Sequence, residues 1–134
     1  MILLFASVVG GAAQTRDTLT SRLNIYNKEF DVFMVLDLRE RNVIIPDHEI
    51  YGPLPGYLGK TTSTFYWMIV DADDEGKKTQ LQLINDYGSE DLSATFEQLN
   101  DSTYRLTQGK GSVIKVPSKG KWMKLPSMLD FIRR

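Results

Sequence analysis

The chain of 134 residues has no cysteine. That excludes a disulfide scaffold, a thiolate metal site and a cysteine nucleophile. It has one histidine, His48, which excludes zinc sites built on several imidazoles. No apolar run reaches the ~20 residues a helix needs to cross a bilayer, so no transmembrane span is expected. An excess of either charge is missing too: 16 Lys+Arg stand against 17 Asp+Glu, a net charge of −1. Long amphipathic stretches at helical spacing are also absent. Without crossover helices, any sheet must be mainly antiparallel.

What is present fits one ordinary globular domain. Hydrophobic residues make up 42% and charged residues 25%, inside the usual globular range. A chain of this size buries roughly two thirds of its unfolded surface, enough for a core of its own. Residues 1–13, MILLFASVVGGAA, are apolar up to Val9 apart from Ser7 and end in small residues. They read as the apolar region and cleavage site of a secretory signal, although no Lys or Arg precedes the run. The alternative is a buried first strand or helix. With the signal, residues 14–134 form a single β domain that is periplasmic or secreted. No cysteine follows to carry an acyl anchor.

Residues 15–23 are a polar lead-in or short helix, and after them the pattern is β. Residues 30–38, FDVFMVLDL, put Phe30, Val32, Met34, Leu36 and Leu38 on one face. A return strand is expected at 43–45, stopped by Pro46. Residues 52–59, GPLPGYLG, read as an apolar loop. Strands are expected at 65–70, 79–84 and 92–97, with a hairpin turn at 73–76. A strand through Tyr104 and Leu106 is broken at Gly109-Lys110-Gly111. A hairpin at 112–125 turns on Ser118-Lys119-Gly120, and 129–132 is a last strand. Such spacing predicts an all-β antiparallel meander of about eight strands, as a small lipocalin-like barrel or a β-sandwich. Residues 65–70 and 32–36 are apolar on both faces, so they must be covered on both sides. The 52–59 loop is the expected cover.

Charge is unevenly distributed. Residues 105–134 carry eight basic side chains and a single acid, Asp130. Cross-strand pairing accounts for this in a mixed surface; the functional reading is a basic face for an anionic partner. Nucleic acid is not expected, because the basic residues are spaced singly along strands.

Motifs for chemistry fail on spacing. Asp71 to Gly76 opens like a calcium loop, but its twelfth position is Gln82 rather than Glu. Gly59-Lys60-Thr61 lacks the earlier glycine of a phosphate loop, with Leu54 in its place. Asp86, Glu90 and Asp91 cluster around Ser89 in a turn-rich stretch, without a second histidine to activate a nucleophile. No catalytic residue, metal ligand or cofactor is therefore assigned. Aromatic side chains stack on sugar rings or line apolar hollows. On that basis the candidate ligand contacts are Tyr51, Tyr57, Leu58, Trp67 and Trp122.

Three stretches carry a resemblance: residues 120–126 (GKWMKLP), 100–104 (NDSTY) and 52–57 (GPLPGY). In style they are similar to small exported β proteins of unknown function from Gram-negative envelopes. The resemblance implies a secreted β domain and carries over no site residue. The expected function is a non-catalytic exported binding module for a small apolar or glycan ligand. The alternative is an interaction subunit with a protein partner, docking through a doubly apolar strand.

Overall fold

The structure, a computed structural model, describes residues 22–134. Ten strands follow in chain order: β1 Leu23–Asn27, β2 Val32–Leu36, β3 Gly56–Lys60, β4 Tyr66–Glu75 and β5 Lys78–Asn85, then β6 Asp91–Gln98, β7 Thr103–Gly111, β8 Lys115–Ser118, β9 Lys121–Lys124 and β10 Met128–Arg133. Eight of them close into an antiparallel barrel in the order β1-β10-β7-β6-β5-β4-β3-β2. The all-β antiparallel expectation holds, and the eight strands close as a barrel rather than a sandwich. Closure leaves no strand edge unpaired in the ring. β8 and β9 form a separate hairpin. No helix among the described residues is long and apolar enough to cross a membrane. The expected signal segment at 1–13 lies outside the described residues.

Alternation decides which side chains fill the barrel. Ile25, Val32, Met34, Leu36, Leu58, Trp67, Ile69, Leu81, Leu83, Leu92, Leu106 and Phe131 are fully enclosed or nearly so. The register places Met34 opposite Leu58, Leu58 opposite Trp67, and Leu83 opposite Leu92. The interior is thus occupied by large side chains, as in a small barrel whose lumen is its core. β5 and β6 follow the clean inside–outside alternation expected of them.

β2, β3 and β4 are apolar on both faces, and their outer face is buried as well. Val35, Val43, Ile45, Tyr57, Tyr66 and Met68 form a second core there, with Phe33, Leu54 and Ile84 packed against it. The cover is the connection between β2 and β3, residues 37–55. A backbone pair between Val43 and Leu54 pins it (Val43 N to Leu54 O 3.0 Å, Leu54 N to Val43 O 2.9 Å). Val43 therefore belongs to an isolated bridge and not to a return strand. The expected loop at 52–59 is likewise corrected: Gly56–Lys60 is strand β3, and the cover lies upstream of it. Glycine stands in this strand because its neighbours crowd it. A Cβ at Gly56 would lie 2.3 Å from the Val35 carbonyl, and one at Gly59 would lie 2.7 Å from the Tyr66 ring.

Smaller departures have local causes. β4 runs on to Glu75, so the turn to β5 falls at Gly76, whose φ of 87° suits glycine. β7 continues through Gly109-Lys110-Gly111, accommodated by an irregularity against β6. Leu23, assigned to the polar lead-in, opens β1 opposite Leu36.

The β8–β9 hairpin closes one end of the barrel. Ile114, Val116 and Leu125 join the interior core, and Met123 packs against it. Gln108 of β7 holds the hairpin's base: its Oε1 accepts from Ile114 N at 2.8 Å, and its Nε2 donates to Pro126 O at 2.9 Å.

Candidate functional site

Where the hairpin meets the ends of β4 and β5, the cap is incomplete. A pocket of about 140 Å³ remains, lined by Phe65, Trp67, Asn85, Tyr87, Ser89, Glu90, Lys115 and Trp122. Phe65 sits at its centre. Its ring meets Trp122 at 4.9 Å, Tyr87 at 5.1 Å and Trp67 at 6.5 Å, each edge to face. Trp67 donates its indole N–H to the Lys115 carbonyl at 2.9 Å, which ties the barrel floor to the hairpin.

The opposite wall is polar and built by Asn85. This side chain is buried at the end of β5. Its Oδ1 accepts from Ser89 N at 2.9 Å and Glu90 N at 3.3 Å, and its Nδ2 donates to Ser89 Oγ at 3.2 Å. A buried amide must find such partners or pay for lost water; here the partners fold residues 85–90 into a turn. The turn presents Tyr87, Ser89 and Glu90 to the pocket. Lys115 Nζ donates to Glu90 Oε2 at 3.1 Å. Glu90 Oε1 is buried and accepts no hydrogen bond from the protein.

On the far side of Tyr87 lies a second hollow of about 300 Å³, lined by Tyr51, Leu54, Met68, Val70, Ile84, Tyr87 and Gly88. No charged side chain lines it. Its wall is latched by His48. The Nδ1 of this ring lies 2.9 Å from the Pro46 carbonyl, and its Nε2 is bonded to the Asp86 carboxylate. Both partners are acceptors, which favours the ring form with a proton on each nitrogen. The His48 pKa is accordingly raised above its ordinary value, first by the Pro46 carbonyl and then by Asp86 and Asp47, against the opposing effect of burial. Tyr51 stacks on the imidazole at 6.1 Å and Tyr66 meets it edge-on at 5.6 Å.

At the other end of the barrel, Leu23, Leu38, Phe96 and Tyr104 floor an open hollow of about 360 Å³ rimmed by Lys77, Glu97 and Arg133. Arg133 bonds the Tyr104 hydroxyl and lies over its ring, 5.5 Å from the centroid.

The five candidate contacts therefore separate. Trp67 and Trp122 come together in the first pocket. Tyr51 stands at the rim of the second hollow. Tyr57 is packed in the outer core between Phe33 at 5.7 Å and Tyr66 at 5.0 Å, where burial raises its pKa. Leu58, its neighbour in β3, points the other way into the barrel. Phe65, Asn85, Ser89, Glu90 and Lys115 were not among the candidates. The acidic turn at 86–91 was the available signal for Glu90, but its carboxylates do not act as a group. Asp86 is held by His48, Glu90 by Lys115, and Asp91 is exposed at the start of β6. Asp71 to Glu75 lie in the β4 ladder opposite β5 instead of forming a loop. No family model, no curated protein and no solved structure matches the chain.

Proposed function

We propose that the protein is a non-catalytic binding module of the cell envelope, exported by its N-terminal segment, and that it holds a single sugar ring in the pocket under the β8–β9 hairpin. The observation that carries this reading is the pocket's division into an aromatic side and a polar side. Phe65, Tyr87 and Trp122 offer apolar surface to the C–H faces of a pyranose. Ser89, Glu90 and Lys115 line the opposite wall and supply hydrogen-bonding partners. Sugar hydroxyls both donate and accept, so they satisfy such a wall, whereas a purely apolar guest would leave it desolvated.

Size supports the same reading. Drug-sized ligands occupy roughly 300–1,000 Å³, whereas a cavity of about 150 Å³ holds one benzene. At about 140 Å³ the pocket is below the drug-sized range and takes one face of a single pyranose, whose remaining hydroxyls stay at the open mouth. A lipid in the lumen is disfavoured because Trp67, Phe131 and their neighbours fill it. Isothermal titration with the methyl glycosides of glucose, galactose and mannose tests the proposal. At least one binds the wild type, and Trp122→Ala weakens it by about tenfold or more. Absence of binding across the three would overturn it.

A second reading is supported by the apolar hollow beyond Tyr87. Met68 and Val70, from the doubly apolar β4, lie there beside exposed Tyr51 and Tyr87, with Ile50 fully proud of the surface nearby. In this reading the face docks a protein partner. Light scattering on the protein purified from its own host separates the two, since a docked partner raises the mass above that of one chain.

A further inference from the structure

The sugar-pocket reading, on which this inference rests, leaves one feature of the hairpin unexplained. Lys115 and Lys124 are direct register partners across β8 and β9, as are Pro117 and Trp122. Pairs two residues apart along a strand share a face, so both lysines stand on the face that carries Trp122. Like charges placed opposite each other on a sheet are destabilising. Glu90 relieves this for Lys115 alone. Lys110, Lys119, Lys121 and Lys124 make no ion pair among the described residues. From residue 102 to residue 129 the sequence has no acidic residue at all. Arg105 is the other basic residue in this part of the chain with a carboxylate partner, Asp130, which it clasps at 2.7 and 3.0 Å.

We infer that the ligand is an acidic sugar, a pyranose ring bearing a carboxylate. The ring rests on Phe65 and Trp122, and the carboxylate meets the lysine pair at the rim. There it supplies the countercharge that the hairpin lacks. Glu90 selects the orientation: its carboxylate lines the pocket, is already paired with Lys115, and repels the ligand's carboxylate toward Lys124. Charge-assisted contacts of this kind are stronger than neutral ones and are screened by salt.

The test is a comparison of methyl glucuronide with methyl glucoside, and of the galacto and manno pairs. Binding is followed by fluorescence of Trp67 and Trp122, the only two tryptophans of the chain, both lining the pocket. At low ionic strength the uronide of at least one pair binds about fivefold tighter or more. In 0.5 M salt the advantage shrinks toward unity. Lys124→Gln narrows the uronide-to-glycoside ratio at low salt, and Lys77→Gln at the opposite end of the barrel leaves the ratio unchanged. Lys124 is exposed and makes no ion pair among the described residues, so its substitution does not threaten the fold; a thermal melt confirms this. Equal binding of acid and neutral partner, or a ratio untouched by Lys124→Gln, overturns the inference and leaves the sugar pocket standing. Failure of every sugar to bind overturns both.

Discussion

Two aromatic clusters flank β4, and they are finished differently. On the outside, Phe33, Tyr57 and Tyr66 pack on one another under the 37–55 cover, with His48 sealing the edge. Every ring there has a neighbour and the cluster is closed. At the hairpin-capped end, Phe65, Trp67, Tyr87 and Trp122 gather around a space that none of them fills. Two of them, Tyr87 and Trp122, remain 72% and 50% exposed, which separates them from the buried outer rings. The polar side chains of Ser89, Glu90 and Lys115 line the same space. Aromatic content alone therefore does not mark a site. Aromatic surface left open beside polar side chains does.

The largest expected effect breaks the packed part of the pocket cluster. Trp67 is buried and also holds the hairpin through its indole N–H, so Trp67→Ala costs about 4 kcal/mol in denaturant unfolding. Its loss is therefore structural first. Next comes Tyr57→Ala, which opens the outer cluster and costs about 3 kcal/mol. Because Tyr57 lines neither hollow, sugar affinity in the surviving folded fraction is expected to stay within twofold, roughly the scatter of independent sites. A matched loss of affinity would merge the two clusters into one functional unit.

The third effect reverses the ranking. Trp122→Ala removes a half-exposed ring and changes stability by about 1 kcal/mol or less, while it removes most of the binding. A large stability loss with unchanged binding would show that Trp122 is a cap and not a contact.

The smallest effect concerns the latch on the outer cluster. His48 has a raised pKa in the folded protein. Its contribution is therefore fully present below the unfolded value of about 6.5 and is lost as pH rises through the folded value. Unfolding free energy measured across this window should fall with pH by about 1 kcal/mol, the worth of one such hydrogen bond, and His48→Gln should flatten the slope. As the single histidine, its imidazole signal in NMR gives the folded pKa directly. On the acid side the sign is opposite. Asp31, held by Thr61 at 2.6 Å and Tyr26 at 2.7 Å, and Asp130, held by Arg105, have lowered pKa values. Their contributions are present above the ordinary carboxylate range and are lost as pH falls through the folded values.

The strands that alternate most cleanly were the easiest to read. Leu81 and Leu83 against Leu92, Ala94 and Phe96 follow the two-residue period without interruption. β3 was hidden because Gly56 and Gly59 look like loop residues. They are glycine because Val35 and Tyr66 leave no room for a side chain, a constraint that exists only after the strands pair. β1, LNIYN, was hidden because Leu23 and Ile25 alone are too few to show a period. In the pocket, Trp67 and Trp122 were legible as unusual residues. Their meeting with Glu90 and Lys115 was not, since Lys115 reaches Trp67 across 48 positions of chain by folding the hairpin over the barrel end. Local pattern carries no information about that return.

Chemical-shift mapping of the folded protein with an added sugar tests the site assignment most directly. Both indole N–H signals and the backbone amides of residues 85–90 and 115–124 are expected to move together, while those of residues 43–57 stay in place. Shifts centred on residues 43–57, or around Leu23, Phe96 and Tyr104 at the opposite mouth, would contradict it.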